Sequence, residues 1–109
     1  MNRLLFLFLL TSSFSYGQYI GGSAKDEGRK LIGSPSFIVE GFTNGFVKFE
    51  LAIDREGNVT GTRALDSNLK NTPARMDLTN YVKKMKFEAG TYYPKFHHAI
   101  VKVTMVKPN

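Results

Sequence analysis

The chain of 109 residues contains no cysteine, so no disulfide can brace it and no thiolate can act as nucleophile or metal ligand. Packing of apolar side chains has to supply its stability. Its four prolines are scattered at 35, 73, 94 and 108, which leaves no proline-rich spacer. The apolar run "LLFLFLL" at 4 to 10 falls well short of the roughly 20 residues that span a bilayer as a helix. Acidic residues are scarce at one end: residues 18–69 carry six basic and seven acidic side chains, while residues 70–109 carry eight basic ones against only Asp77 and Glu88. An electropositive C-terminal part suits a solvated face or attraction to an anionic polymer.

What is present begins with Arg3, the short apolar run and "TSSFSYG" at 11 to 17, the pattern of a secretory signal peptide over residues 1–17 with cleavage after Gly17. A retained N-terminal membrane anchor and a buried strand or helix are the alternatives. Cleavage leaves 92 residues, and a domain of that size buries only about 60 to 65% of its unfolded surface, so its core must be efficient. Residues 18–35, rich in Gly, Ser and charge without a sustained period, read as a flexible tail. The folded domain is then 36–109.

Within it, "SFIVEGF" at 36 to 42 is a candidate short strand, followed by "TNG" at 43 to 45, an Asn-Gly pair that suits a tight hairpin. Alternation is clearest over 46 to 54: Val47, Phe49, Leu51 and Ile53 face one way, Lys48, Glu50 and Asp54 the other. Asp54 to Asn58 turn the chain, with Gly57 available for positive φ. The returning strand, 59 to 66, is out of phase unless a bulge near Gly61 restores Thr62 and Ala64 to the core side. "TPARMDLTNYVKKMKF" at 72 to 87 predicts the main helix, capped at Thr72, with Leu78, Tyr81, Val82 and Met85 on one stripe. A last strand at 97 to 106 sets Ala99, Val101, Val103 and Met105 against Ile100, Lys102 and Thr104.

Short connections then give an α+β fold: a small antiparallel sheet in the order 2-1-3, counting the strands at 46, 59 and 97, with a possible extra N-terminal strand and one main helix on one face. The last strand pairs beside 46–54, with Lys102 near Glu50, and its outer edge is free unless 36–42 folds over it.

The hairpin residues Gly45, Val47, Phe49, Ile53, Asp54, Gly57 and Val59, the helix ending Leu78, Val82, Lys84, Lys86 and Phe87, the turn Gly90 and the lead-in "GRKLIGSP" at 28 to 35 together resemble the TonB C-terminal domain family of bacterial energy transducers. The resemblance covers about residues 28–107. Ala89 stands where members usually have proline, Met85 where a tryptophan or other large residue is common, and no early helix precedes the hairpin. The resemblance implies a periplasmic module that is the binding half of a transducer without its motor half. It also implies that an extended "box" peptide of an outer-membrane transporter pairs along the last strand.

Chemistry is sparse. No nucleophile and base, and no acid pair in a cleft, stands out, so the chain does not read as an enzyme and calls for no cofactor and no small-molecule substrate. Asp54 and Glu56 lie in a turn, where Asp ordinarily caps backbone. His97 and His98 are adjacent on a strand and point to opposite faces, so they do not share a metal ion. "NVT" at 58 to 60 fits a glycosylation sequon, which the resemblance to a bacterial family implies is accidental. Tyr92 and Tyr93 read as loop anchors or a contact patch. The candidate partner-binding residues are Ala99, Ile100, Val101, Lys102, Val103 and Thr104, whose free edge would receive a peptide of an envelope or outer-membrane protein by strand addition. Lys102 is equally explained as a guard against aggregation. Two alternatives are a self-associating envelope component, as a homodimer, and a binder of anionic polymer through Lys83, Lys84 and Lys86. Nucleic acid is the least expected partner of an exported chain.

Overall fold

The computed structural model describes residues 19–108; the expected signal peptide and its cleavage point lie outside the described residues. The elements run β1 (Tyr19–Gly21), α1 (Ser23–Asp26), β2 (Ile38–Glu40), β3 (Gly45–Ile53), β4 (Val59–Ser67), α2 (Thr72–Lys83) and β5 (His97–Val106). The fold is α+β: one sheet in the order β1-β5-β3-β4, with β2 also paired to β5 and α2 packed on one face. The expected 2-1-3 arrangement is thus the β4-β3-β5 centre of the sheet. All pairings are antiparallel except β2 with β5.

The core follows from period-two alternation. Val47, Phe49, Leu51 and Ile53 of β3 and Ala99, Val101, Val103 and Met105 of β5 are buried on the face that meets Ala74, Leu78 and Val82 of α2. Strand β4 reaches that face through two bulges. Phe49 is opposite Ala64 and Leu51 opposite Thr62, while Thr60 and Leu65 are the extra residues. The phase shift expected near Gly61 is made at Thr60, one residue earlier. Gly57 turns the hairpin with φ of 90°, and a side chain there would run into the Phe87 carbonyl.

Helix α2 is shorter than its pattern predicted. Asn71, not Thr72, caps it, its side chain accepting from Ala74 N at 3.0 Å. The helix closes at Lys83, because Lys86 and Phe87 are drawn into bridges with Asn58 and Leu31. Met85 and Phe87 are still buried, but from the segment beyond the helix.

Two expectations about the N-terminal half are corrected. Residues 19–35 are not a flexible tail but pack on the sheet: Ala24 is fully buried, and Ile32 N and Glu88 N exchange backbone bonds with Lys86 O and Lys30 O at 2.8 and 3.0 Å. The "TNG" segment makes no hairpin between β2 and β3, because both sides of β3 are taken by β4 and β5. Gly45 enters β3 directly, at a point where a side chain would collide with Leu69 and Asn68, and Asn44 accepts from Lys107 N at 2.8 Å.

Candidate functional site

A strand at the rim of a sheet carries main-chain donors and acceptors that either pair with something or face water. Strand β5 was expected to leave its rim vacant unless 36–42 folded over it. Instead the chain's own N-terminal half closes it. β1 pairs antiparallel there, Tyr19 with Val101 and Gly21 with Ile100. β2 pairs parallel, setting Ile38, Val39 and Glu40 against Thr104, Met105 and Val106. His98 N donates to Ser23 Oγ at 3.1 Å, Thr104 N to Phe37 O at 2.9 Å, and Gly41 N to Val106 O at 2.9 Å. Of the predicted partner-binding residues, Ala99, Val101 and Val103 point into the core, and Ile100, Lys102 and Thr104 lie half-buried on the other face. As built, this edge cannot accept a peptide. Lys102 is directly opposite Lys48 and diagonal to Glu50, and its ammonium sits 4.6 Å from the Phe46 ring centroid, while Glu50 bonds Arg63 at 2.7 Å.

The seal is held by a buried cation that its polar, glycine-flanked sequence context concealed. Arg29 is 1% exposed. Its Nε donates to Glu88 O at 2.7 Å, its Nη2 to Asp54 O at 2.8 Å, and its Nη1 to His97 Nδ1 at 3.2 Å. The Tyr93 ring lies 4.1 Å from the guanidinium carbon. No carboxylate among the described residues pairs with it; carbonyl dipoles and a π face stabilise the charge instead. Arginine can only donate, so His97 Nδ1 accepts and the imidazole proton sits on Nε2. That nitrogen is 3.2 Å from Glu27 Oε1 but out of line for a hydrogen bond. This cluster has the residue types of an active site, yet Arg29 spends Nε and Nη2 on main-chain carbonyls and Nη1 on His97, and His97 Nε2 is left buried without a partner. Tyr19 Oη donates to Arg29 O at 2.8 Å, and burial pushes the phenol up to about 12 against the opposing pull of the Arg29 charge. The Tyr93 phenol is also raised to about 12, first by its hydrogen bond with Tyr92 and then by burial. Tyr93 is thus the anchor, whereas Tyr92 is exposed.

The opposite edge is different. Strand β4 ends the sheet, paired to β3 on one side and to no other strand among those described. Its core-side positions carry small residues, Thr62 and Ala64, where β3 and β5, apart from Ala99, carry Val, Phe, Leu, Ile and Met. Helix α2 approaches β4 more closely than it does β5, yet these small side chains do not fill the space between them. A groove of about 220 Å³ remains, lined by Val47 and Phe49 of β3, Thr62 and Ala64 of β4, and Arg75 and Met76 of α2. Ala64 is exposed although its partner Phe49 is buried, and Leu65 and Met76 add exposed apolar surface. Sequence alternation places Thr62 and Ala64 on this face, but only the lack of a further strand beside β4 among those described makes them a rim.

The remaining candidates stay apart. His97 is buried and His98 exposed, and among the described residues no group of three or more His, Asp or Glu is placed to hold a metal ion. Lys86 is committed to the Asn58 side chain, while Lys83 and Lys84 are exposed at the end of α2. Among the described residues no helix is long and apolar enough to cross a membrane. No family model, no curated protein and no solved structure matches this chain.

Proposed function

We propose that this chain is an exported, non-catalytic binding module, built like a TonB C-terminal domain, that takes up an extended peptide of an envelope or outer-membrane transport protein by strand addition. One observation carries the reading: the nine-residue strand β4 has a second side that no described strand occupies, beside a groove that would receive alternate side chains of an added strand. The docking edge is therefore β4 and not β5, whose rim β1 and β2 already fill. The groove is below the roughly 300 Å³ at which small-molecule sites begin, which favours one side chain over a free metabolite.

Titrating the isotope-labelled chain with a pool of extended peptides drawn from outer-membrane transporters tests the reading. The expected result is amide shifts and slowed hydrogen exchange across residues 59–67. Shifts at 97–106 with loss of the Tyr19–Gly21 pairing would move the site to β5, and no shift with any peptide would overturn the reading. Export is tested separately by the mass of the protein recovered from the periplasm, which should correspond to a chain beginning at Gln18.

A further inference from the structure

The groove beside β4 has a chemistry of its own. Its wall on α2 carries one charged side chain, Arg75, which is exposed and pairs with no carboxylate among the described residues. The first turn of α2 holds no acidic residue, so the positive end of the helix adds to that charge. The floor is apolar, from Val47 and Phe49, and Met76 flanks it. On β4 itself, Arg63 is engaged with Glu50 on the other face of the sheet, and Asp66 lies beyond the bulge at Leu65. Regular pairing is possible along Gly61–Ala64, between the two bulges, and this is the stretch that lines the groove.

Resting on the strand-addition reading, we infer that the occupant is an acidic extended peptide of another protein, with an aliphatic or aromatic side chain entering the groove and a carboxylate two residues along reaching Arg75. Side chains two apart on a strand share a face and stand about 7 Å from each other, so one strand presents both groups to the α2 side at once. A charge-assisted, forked contact to Arg75 selects carboxylate over amide or ammonium. A second copy of this chain is the poorer fit, because residues 18–109 carry 14 basic against 9 acidic side chains, a net charge of +5, and two copies would bring like charge to like.

The test uses two synthetic eight-residue probes on the whole chain: one alternating glutamate with leucine or valine, the other with lysine in place of each glutamate. The acidic probe should shift amides at 61–64 and bind at least about tenfold more tightly than the basic one. Arg75→Glu should reverse that preference. Ala64→Phe, which fills the groove at an already exposed position, should weaken the acidic probe by about tenfold or more while thermal melting stays unchanged. Equal binding of both probes at 61–64 would overturn the acidic preference and leave strand addition standing. Binding of neither, while a transporter peptide still shifts 59–67, would overturn the proposed chemistry alone. A solution mass that doubles with concentration and returns to one chain in Ala64→Lys would name the second copy as occupant and overturn it too.

Discussion

Arg29 decides more of this structure than any other single residue. It joins the N-terminal segment, the β3–β4 turn, the segment after α2 and β5 through Glu88 O, Asp54 O and His97 Nδ1. Arg29→Met keeps much of the bulk but leaves those acceptors buried without donors, and hydrogen bonds to a charged donor are each worth about 1.5–3 kcal/mol. The expected cost is about 3 kcal/mol or more in denaturant unfolding, and Arg29→Lys should not restore it, because an ammonium cannot fork to acceptors on three segments. Tyr19 gives a pH signature to the same region. Its folded-state pKa of about 12 lies above the ordinary 10, so its contribution is complete below pH 10 and is lost as pH rises towards 12. Tyr19→Phe should be less stable at neutral pH by about 1 kcal/mol and should show a shallower alkaline decline than the parent. A burial of this kind is invisible in sequence: arginine between Gly28 and Lys30 reads as solvated, and only the convergence of two distant carbonyls and an imidazole nitrogen reverses that.

At the scale of elements, the strands and helix were legible because their burial alternates with a simple period. Phe49, Leu51 and Ile53 turn inward with a period of two, and Leu78 and Val82 lie one helical turn apart. The ends were less so. Tertiary pairing of Lys86 and Phe87 cut the helix short, and the cap passed to Asn71, one residue before the expected Thr72. Asn71→Ala should lower stability by about 1 kcal/mol, since Ala74 N loses its acceptor. Leu78→Ala should cost about 2–5 kcal/mol, as expected for a fully buried leucine between a helix and a sheet. A smaller effect at Leu78 in thermal or denaturant unfolding would mean that α2 can settle onto β4 and close the groove. The two measurements thus separate the helix's own stability from its distance to the open edge. The Asn-Gly pair at 44–45 misled for a physical reason: a two-residue hairpin needs two strands that want each other, and β3 already had both neighbours.

Over the whole molecule, the sheet is asymmetric in its edges. One side is closed by two short strands of the same chain, three residues each, and the other is open along a bulged strand. Half of this closure was legible, since 36–42 was a candidate strand able to fold over β5, although β2 runs parallel, against the trend for a small antiparallel sheet; β1 was not, because its three residues carry no periodic signal. Removing residues 1–21 separates closure from fold. It deletes β1 and with it the Tyr19 bond to Arg29 O and the edge-on contact of Tyr19 with Phe87 at 5.4 Å, while the β3–β4–β5 core is untouched. The truncated chain should still fold, with stability reduced by about 2–4 kcal/mol. It should also expose main-chain groups of β5 around Val101, and sedimentation should then show association with rising concentration beyond that of the intact chain. If that association involves β5, amides near 98–101 will broaden with concentration while those at 59–67 remain as they are. Broadening at 59–67 instead would mean that β4 is the stickier edge, guarded in the intact chain by something other than its bulges.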